Sequence, residues 1–464
     1  MNLSSTPADA ASRRLAEFAA ATRYSDLPAR ARADTHRAIL DWLGSVIAGS
    51  LERPARLAQS VVAALGRSDD ATVFGAGRSS AAGAALANGV ASHILELDDV
   101  HKGSTLHAAA PVIPAALAVA EREHASGEAF LLGVALGYEA ALRVGEAVNP
   151  DHYRFFHPTG TAATFGAAAA AGSLLGLDST RMLDALGSAG TQAAGLWEFN
   201  ADGAMSKHLH PGKAAMNGVL AADLAAIGFT GATRILEGDR GFFRAMSRTT
   251  DASRVTEGLG TVWKVSENCF KMHACCGHTH SAIDLAIAAR GSAPLSAIRT
   301  IRIRTYGPGH AIVKEPNPSS PYRAQFSIAY CVSAALAEGR VSLEQFSADR
   351  FDASGTRDPA IATLLSRTSV DVDEMLTAKY PAAWPAELII ELEDGTILQS
   401  AADFPRGNPE NPVRTSELEK KLIALVTPRF GVDLARAAIN AVNDLTSVRD
   451  MATHLRDLVP TALA

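Results

Sequence analysis

Apolar residues recur at three- and four-residue spacing through the first half of the chain, and strand-like alternation is scarce there. That period marks one face of an α-helix. It predicts helices over residues 29–48, 81–95, 112–122, 127–148, 161–175, 179–189 and 213–227. Alanine and glycine occupy many of these positions, so the helices are expected to pack closely. The pattern changes near Trp263. Residues 298–306 roughly alternate isoleucine with basic residues, and 387–400 set Asp394-Gly395 between two strand-like runs, a strong hairpin signal. Helical spacing resumes at 416–426 and 434–441. The expected fold is mainly α: a large helical domain of residues 1–265 plus 405–464, with a smaller inserted α+β domain of residues 266–404. No segment repeats at a fixed period, which disfavours a solenoid.

Composition changes this picture little. A chain of 464 residues exceeds the size at which one core stops growing, which fits two domains. The formal charge of −6, with acids and bases evenly mixed, offers no basic face for a phosphate backbone, so nucleic acid is not an expected partner. Lysine is scarce, nine against 34 arginines, so Lys207, Lys213 and Lys271 draw notice inside small-residue stretches. Four cysteines, Cys269, Cys275, Cys276 and Cys331, are too few for a disulfide scaffold and fit a reducing cytoplasm. The first 22 residues carry no signal-peptide pattern. The long uncharged run 160–177 is mostly alanine and glycine and reads as a buried helix rather than a membrane span.

Eleven of the fourteen histidines fall between His93 and His280. Three share a local grammar, an apolar residue followed by histidine at an expected helix start: Leu106-His107-Ala108, Phe156-His157-Pro158 and Leu209-His210-Pro211. Proline is tolerated in a first helical turn, and the free N–H groups there attract anions while disfavouring imidazolium. Such histidines suit neutral bases beside a carboxylate, although each can equally serve as a cap.

Asp98-Asp99-Val100-His101 closes one helix and leads to His107; these acids can orient an imidazole, bind a divalent cation, or simply lie at the surface. His93 is expected on a helix body with a structural role. Lys207 lies in an expected small-residue loop, where it can act as a base or hold a carboxylate. The 271–280 segment, Lys-Met-His-Ala-Cys-Cys-Gly-His-Thr-His, lacks the paired C-x2-C spacing of a zinc site, so a turn lining a polar pocket at the domain junction is expected and no metal. Tyr330 can donate a proton or pack in the core, and Arg323 can clamp a carboxylate. Walker, nucleophile-elbow and convincing dinucleotide motifs are absent; Gly75-Ala76-Gly77 is weak evidence for a nucleotide.

Taken in order, Glu96-Leu97-Asp98-Asp99 with His101 and His107, Phe156-His157-Pro158-Thr159-Gly160-Thr161, Ser206-Lys207 with Leu209-His210 and Gly212, Lys271 to Asp284, and Phe326-Ser327 with Tyr330 resemble the MmgE/PrpD family. Gly407-Asn408-Pro409-Glu410-Asn411-Pro412 matches its C-terminal turn. The resemblance runs from Pro28 to Leu425. It implies a large helical domain, a smaller α+β lid, a homodimer, and proton chemistry on small di- or tricarboxylic acids without metal or organic cofactor, as in 2-methylcitrate dehydratase, cis-aconitate decarboxylase and iminodisuccinate epimerase. By resemblance, Glu96, His107, His157, Lys207, Lys271, Cys276 and Tyr330 are pocket positions. In the itaconate-forming decarboxylases the positions of Glu96, Val100 and Cys276 are typically aspartate, threonine and histidine, which points away from that activity.

The expected function is a cofactor-free, dehydratase-like lyase. His107, His157, Lys207, Lys271 and Tyr330 are the expected catalytic residues, with Glu96, Asp99, His101, His210, Cys276 and Arg323 binding substrate. An epimerase, a decarboxylase, a non-catalytic carboxylate binder and a metallohydrolase using Asp98, Asp99 and the histidines are the rivals. Neither nucleic acid nor membrane is an expected partner.

Overall fold

The computed structural model describes residues 10–66 and 68–459. They divide into two compact units. The first takes the chain up to Ile94, Asp98–Asn268, and the residues from Arg414 onward; the second takes Leu95–Leu97 and Cys269–Val413. Residues 405–413 stay with the second unit because the chain at Gly407 lies against Phe270: Phe270 N–H donates to the Gly407 carbonyl at 3.1 Å.

The first unit is built on helices α1 (Ala11–Ala21), α2 (Ala29–Gly49), α3 (Arg53–Leu65), α4 (Ala81–His93), α5 (Ala109–Arg122), α6 (Gly127–Val148), α7 (Ala162–Leu174), α8 (Ser179–Gly190) and α9 (Ser206–Ala226). A short hairpin, β1 (Ala71–Val73) and β2 (Gly77–Ser79), precedes α4. Gly75-Ala76-Gly77 is its turn, with Ala76 N–H on the Val73 carbonyl, so the glycines serve a reversal of the chain. The uncharged run forms α7, whose residues Ala162–Gly172 are all buried. Among the described residues no helix is long and apolar enough to cross a membrane.

Small residues set the spacing of these helices. α4 and α9 run antiparallel and cross at Gly89 and Gly212, where a Cβ on Gly89 would stand 2.6 Å from the Gly212 Cα. α6 and α7 meet likewise, with a Cβ on Gly166 falling 2.5 Å from the Gly137 carbonyl oxygen. Only glycine permits backbones this near, since any larger side chain would meet unyielding main chain.

The periodicity placed the start of α9 seven residues late. Ser206 to Gly212 are helical, so Lys207 and His210 lie on the helix rather than in a preceding loop. Pro211 sits inside the helix. Proline has no N–H to give to the helix ladder, a cost that the helix bears because tertiary packing outweighs local propensity. α1 escaped the sequence reading altogether.

The second unit carries a four-stranded sheet of β3 (Ile298–Thr305), β4 (Thr368–Val372), β5 (Ala386–Leu392) and β6 (Ile397–Ala402), in the order β4-β3-β5-β6. β3 pairs parallel with β4 and antiparallel with β5, and β5 with β6 forms the expected hairpin about Asp394-Gly395. Alternate residues of β5 are buried, as its period predicts. α10 (His280–Ala289) packs on β5 and on α11 (Ile328–Glu338). α12 (Thr415–Phe430) and α13 (Val432–Asn443) return to the first unit, where α12 packs on α2 and Lys421 Nζ reaches Asp41 at 2.6 Å.

A histidine cluster as candidate active site

Five histidines of the first unit meet at the antiparallel crossing of α4 and α9. His93 ends α4, and its ring centroid lies 4.8 Å from His107, 5.5 Å from His157 and 6.1 Å from His208. His157 lies 6.1 Å from His107 and 5.3 Å from His210. Because Gly89 faces Gly212, the last turn of α4 falls beside the first turns of α9, which brings His93 to His208. This convergence is a product of helix packing.

His107 precedes α5 by two residues. Its Nδ1 lies 2.6 Å from the Asp99 carbonyl oxygen, which only accepts, so Nδ1 carries the proton and the neutral ring keeps its lone pair on Nε2. Asp98 Oδ2 stands 3.4 Å from the same Nδ1 and 2.6 Å from His93 Nδ1, with both Asp98 and His93 fully buried. A buried carboxylate beside two imidazoles favours positive charge on whichever of them gains a proton.

Asp99 does something else. Its Oδ2 accepts from Tyr138 Oη at 2.5 Å and Asn268 Nδ2 at 2.6 Å, and its Oδ1 accepts from the Ala109 N–H at 3.0 Å. The first turn of α5, expected to cradle a ligand's carboxylate, thus spends a donor on the chain's own. Asp99 anchors the loop whose carbonyl orients His107.

His157 lies five residues before α7, separated from it by a Pro158–Thr161 turn, so it does not open that helix directly. Its N–H donates to the Gly195 carbonyl at 3.0 Å, and its Nδ1 lies 3.0 Å from His210 Nδ1. Burial holds His157 well below the usual imidazole range, with His210, His93, His107 and His208 adding to the effect. Burial lowers His208 to about 3 and His210 to about 4, and Lys207, itself buried, contributes to both. These rings are neutral at pH 7.

Lys213 clamps the neighbourhood. Its ammonium donates to the carbonyls of Gly160 at 3.2 Å, Gln192 at 3.3 Å and Ala194 at 2.7 Å, joining α9 to the two segments that frame His157. His101 is drawn elsewhere: its Nδ1 meets Ser104 Oγ at 2.9 Å, and its Nε2 lies 3.7 Å from Glu146 and 3.6 Å from Glu267, both of which bind Lys264.

In the second unit, Lys271 is fully buried, with Nζ 3.3 Å from Glu96. Glu96 has a left-handed backbone, φ 55°, unusual for a residue with a side chain. The 271–280 segment is a turn tied internally by His280 Nε2 to the Cys275 carbonyl at 3.3 Å, and to its surroundings by His273 to Asp284 at 2.9 Å and Cys276 N–H to the Gln325 carbonyl at 3.0 Å. His278 Nδ1 meets Tyr306 Oη at 2.5 Å, and burial lowers this imidazole to about 3. Tyr330 is a core residue between Phe346 and Phe351, its hydroxyl donating to the Gln345 carbonyl at 2.5 Å. Arg323 is about half exposed and pairs with Glu315 at 2.8 Å. Sequence reading overlooked His208 and set His93 aside; the sole local hint was the Asp98 carboxylate five residues beyond His93.

Two family models match the chain, the MmgE/PrpD N-terminal domain over residues 13–255 and the MmgE/PrpD C-terminal domain over 273–447. Similar proteins include a cis-aconitate decarboxylase-like protein, oryM, of Aspergillus oryzae, 29% identical over 80% of this chain and 81% of its own length. Cis-aconitate decarboxylase of Aspergillus terreus is 29% identical over 81% of this chain and 80% of its own, and that of Homo sapiens 28% identical over 89% and 87%. With the first family model alone spanning more than half of its length, the chain belongs to the MmgE/PrpD family.

Proposed function

We propose that this protein is a cofactor-independent lyase that removes the proton next to a carboxylate of a small di- or tricarboxylic acid, with His107 as the base. One observation carries the reading: the Asp99 carbonyl fixes the proton of His107 on Nδ1 and leaves Nε2 to accept another. His107 is preferred over His157 because a carboxylate, Asp98, lies beside its ring and stabilises the imidazolium that forms.

The reaction is dehydration. Nε2 of His107 takes the α-proton, the electron pair delocalises into the adjacent carboxylate, and the C–O bond to the β-hydroxyl breaks as His157 supplies a proton. One C–H and one C–O bond break, a C=C bond forms and water departs. Lys207 holds the carboxylate on which charge develops. In the second unit Lys271 is assigned to carboxylate binding, with Glu96 balancing its charge. Tyr330, Arg323 and His101 take no part, since their polar atoms serve local contacts, and Asp99 acts by positioning His107. A second reading, decarboxylation, is favoured by the names of the relatives above.

The protein acts as a homodimer in the cytoplasm on this reading. Exposed Met205, Leu209 and Leu220, with Met205 just ahead of α9 and the leucines on one face of it, support self-association, and cysteines free of disulfides support the compartment. The deciding experiment incubates metal-stripped protein in deuterated water with methylcitrate, citrate, cis-aconitate and hydroxy- or iminodicarboxylates. Alkene absorbance supports dehydration; released carbon dioxide supports decarboxylation. Deuterium entering recovered substrate, without either, supports an epimerase. Saturable binding without turnover of any acid overturns the catalytic reading.

A further inference from the structure

The 3.0 Å separation between Nδ1 of His157 and Nδ1 of His210 demands one N–H and one lone pair, because two protons or two lone pairs facing each other repel. One proton is therefore shared, and the neutral pair has two forms. In the first, His157 carries that proton and has its lone pair on Nε2. In the second, His210 carries it, and the proton of His157 sits on Nε2. Passing the shared proton to His210, with one proton gained at His157 Nε2 and one released from His210 Nε2, thus converts His157 from a base into an acid.

Burial gives the pair a direction. His157 is 1% exposed, whereas His210, in the second turn of α9, is only partly buried. The separation is held from both sides: the Gly195 carbonyl and Gly160 N–H grip the backbone of His157, and Lys213, one turn along from His210, binds the Gly160 and Ala194 carbonyls. Lys207, Lys213 and the other histidines surround the pair, an environment that disfavours a lasting imidazolium on either ring.

We propose that His210 is the proton relay of His157, a positioning residue that resets it during turnover. The proposal rests on the lyase reading. His157 gives its Nε2 proton to the departing hydroxyl and receives the shared proton on Nδ1; His210, having lost that proton, takes one from water at Nε2. Both rings finish neutral with exchanged tautomers, and the reverse passage, a proton taken up at His157 Nε2 and one released from His210 Nε2, restores the start.

The test uses the full chain labelled with 15N-histidine. Wild-type protein is expected to show a 15N–15N coupling across the hydrogen bond between the two Nδ1 atoms, lost in His210→Asn. On the substrate found by the panel, His210→Leu and His210→Asn are both expected to lower kcat tenfold or more with KM within about twofold, and added imidazole to restore part of the rate to His210→Ala. Asparagine can orient His157 but cannot pass a proton on, so wild-type kcat in His210→Asn overturns the relay, as does absence of the coupling in wild type. Coupling without turnover of any acid overturns the lyase reading instead, leaving the shared proton in place.

Discussion

Nδ1 of His107 lies 2.6 Å from the carbonyl oxygen of Asp99, while the Asp99 carboxylate is held by Tyr138, Asn268 and the first turn of α5. A buried acid thereby orients a base without touching its ring by a side chain: it fixes the backbone, and the backbone fixes the tautomer. Two adjacent aspartates thus have separate tasks, Asp98 facing imidazoles and Asp99 facing the scaffold.

If His107 is the base, His107→Gln lowers kcat by about 10²–10⁴-fold, the range a general base contributes. Asp98→Asn keeps the shape and removes the charge, so its effect falls mainly on kcat. Steady-state kinetics on the substrate identified by the panel check both, and a His107→Gln enzyme within threefold of wild type excludes that role.

Tyr138→Phe removes one donor to Asp99 and leaves the ring in place. Stability is expected to fall by about 1–3 kcal/mol, the range for depriving a buried polar group of a hydrogen-bond partner. Urea unfolding measures it, and His107→Gln serves as the contrast, losing activity without comparable loss of stability.

Gly212→Ala adds a methyl 2.5 Å from the Leu86 carbonyl oxygen. The gain in helix propensity, about 1 kcal/mol, is outweighed by backbone contact that no rotamer change relieves, and overpacking costs about 1–3 kcal/mol. Both stability and activity should drop, since the same crossing aligns His93 with His208. An alanine variant as stable and active as wild type contradicts this account of the cluster.

Acid should unfold the protein through its histidines. His208, His210 and His278 have folded pKa values lowered to about 3, 4 and 3 from an ordinary 6.5, so the unfolded chain binds more protons between those limits. Their stabilising contribution is complete above about pH 6.5 and is lost as pH falls toward 4–3. Each buried ring adds a slope of up to about 1.4 kcal/mol per pH unit, and denaturation midpoints measured from pH 7 to 4 should decline accordingly. A flat profile contradicts neutral burial.

His93, Asp98 and His107 have the side chains of a cation site and lie close together. Their short hydrogen bonds, with His107 Nδ1 donating to a carbonyl, favour a proton network. Treatment with a strong chelator is expected to leave turnover unchanged; loss of activity restored by one divalent metal would revive the metallohydrolase.

Hydrophobic period was sufficient to give α2, α4, α6, α7, α8 and the β5–β6 hairpin nearly to the residue, because each buries one face and its spacing is written locally. It failed at the start of α9, where Lys207, His208, His210 and Pro211 break the expected pattern and tertiary packing outweighs it. β4, short and half polar, was invisible without β3 as its partner.

The sequence alone determined the helical class, the family resemblance and the chemical character of the candidate residues, since spacing and side-chain type are properties of the chain itself. Tertiary structure alone decided that His93 and His208 join His107, His157 and His210, that His101 does not, and that Asp98 and Asp99 bind different partners. Tautomer, burial and mutual distance arise from contacts between segments far apart in sequence, and those contacts exist only once the glycine-lined helices have packed.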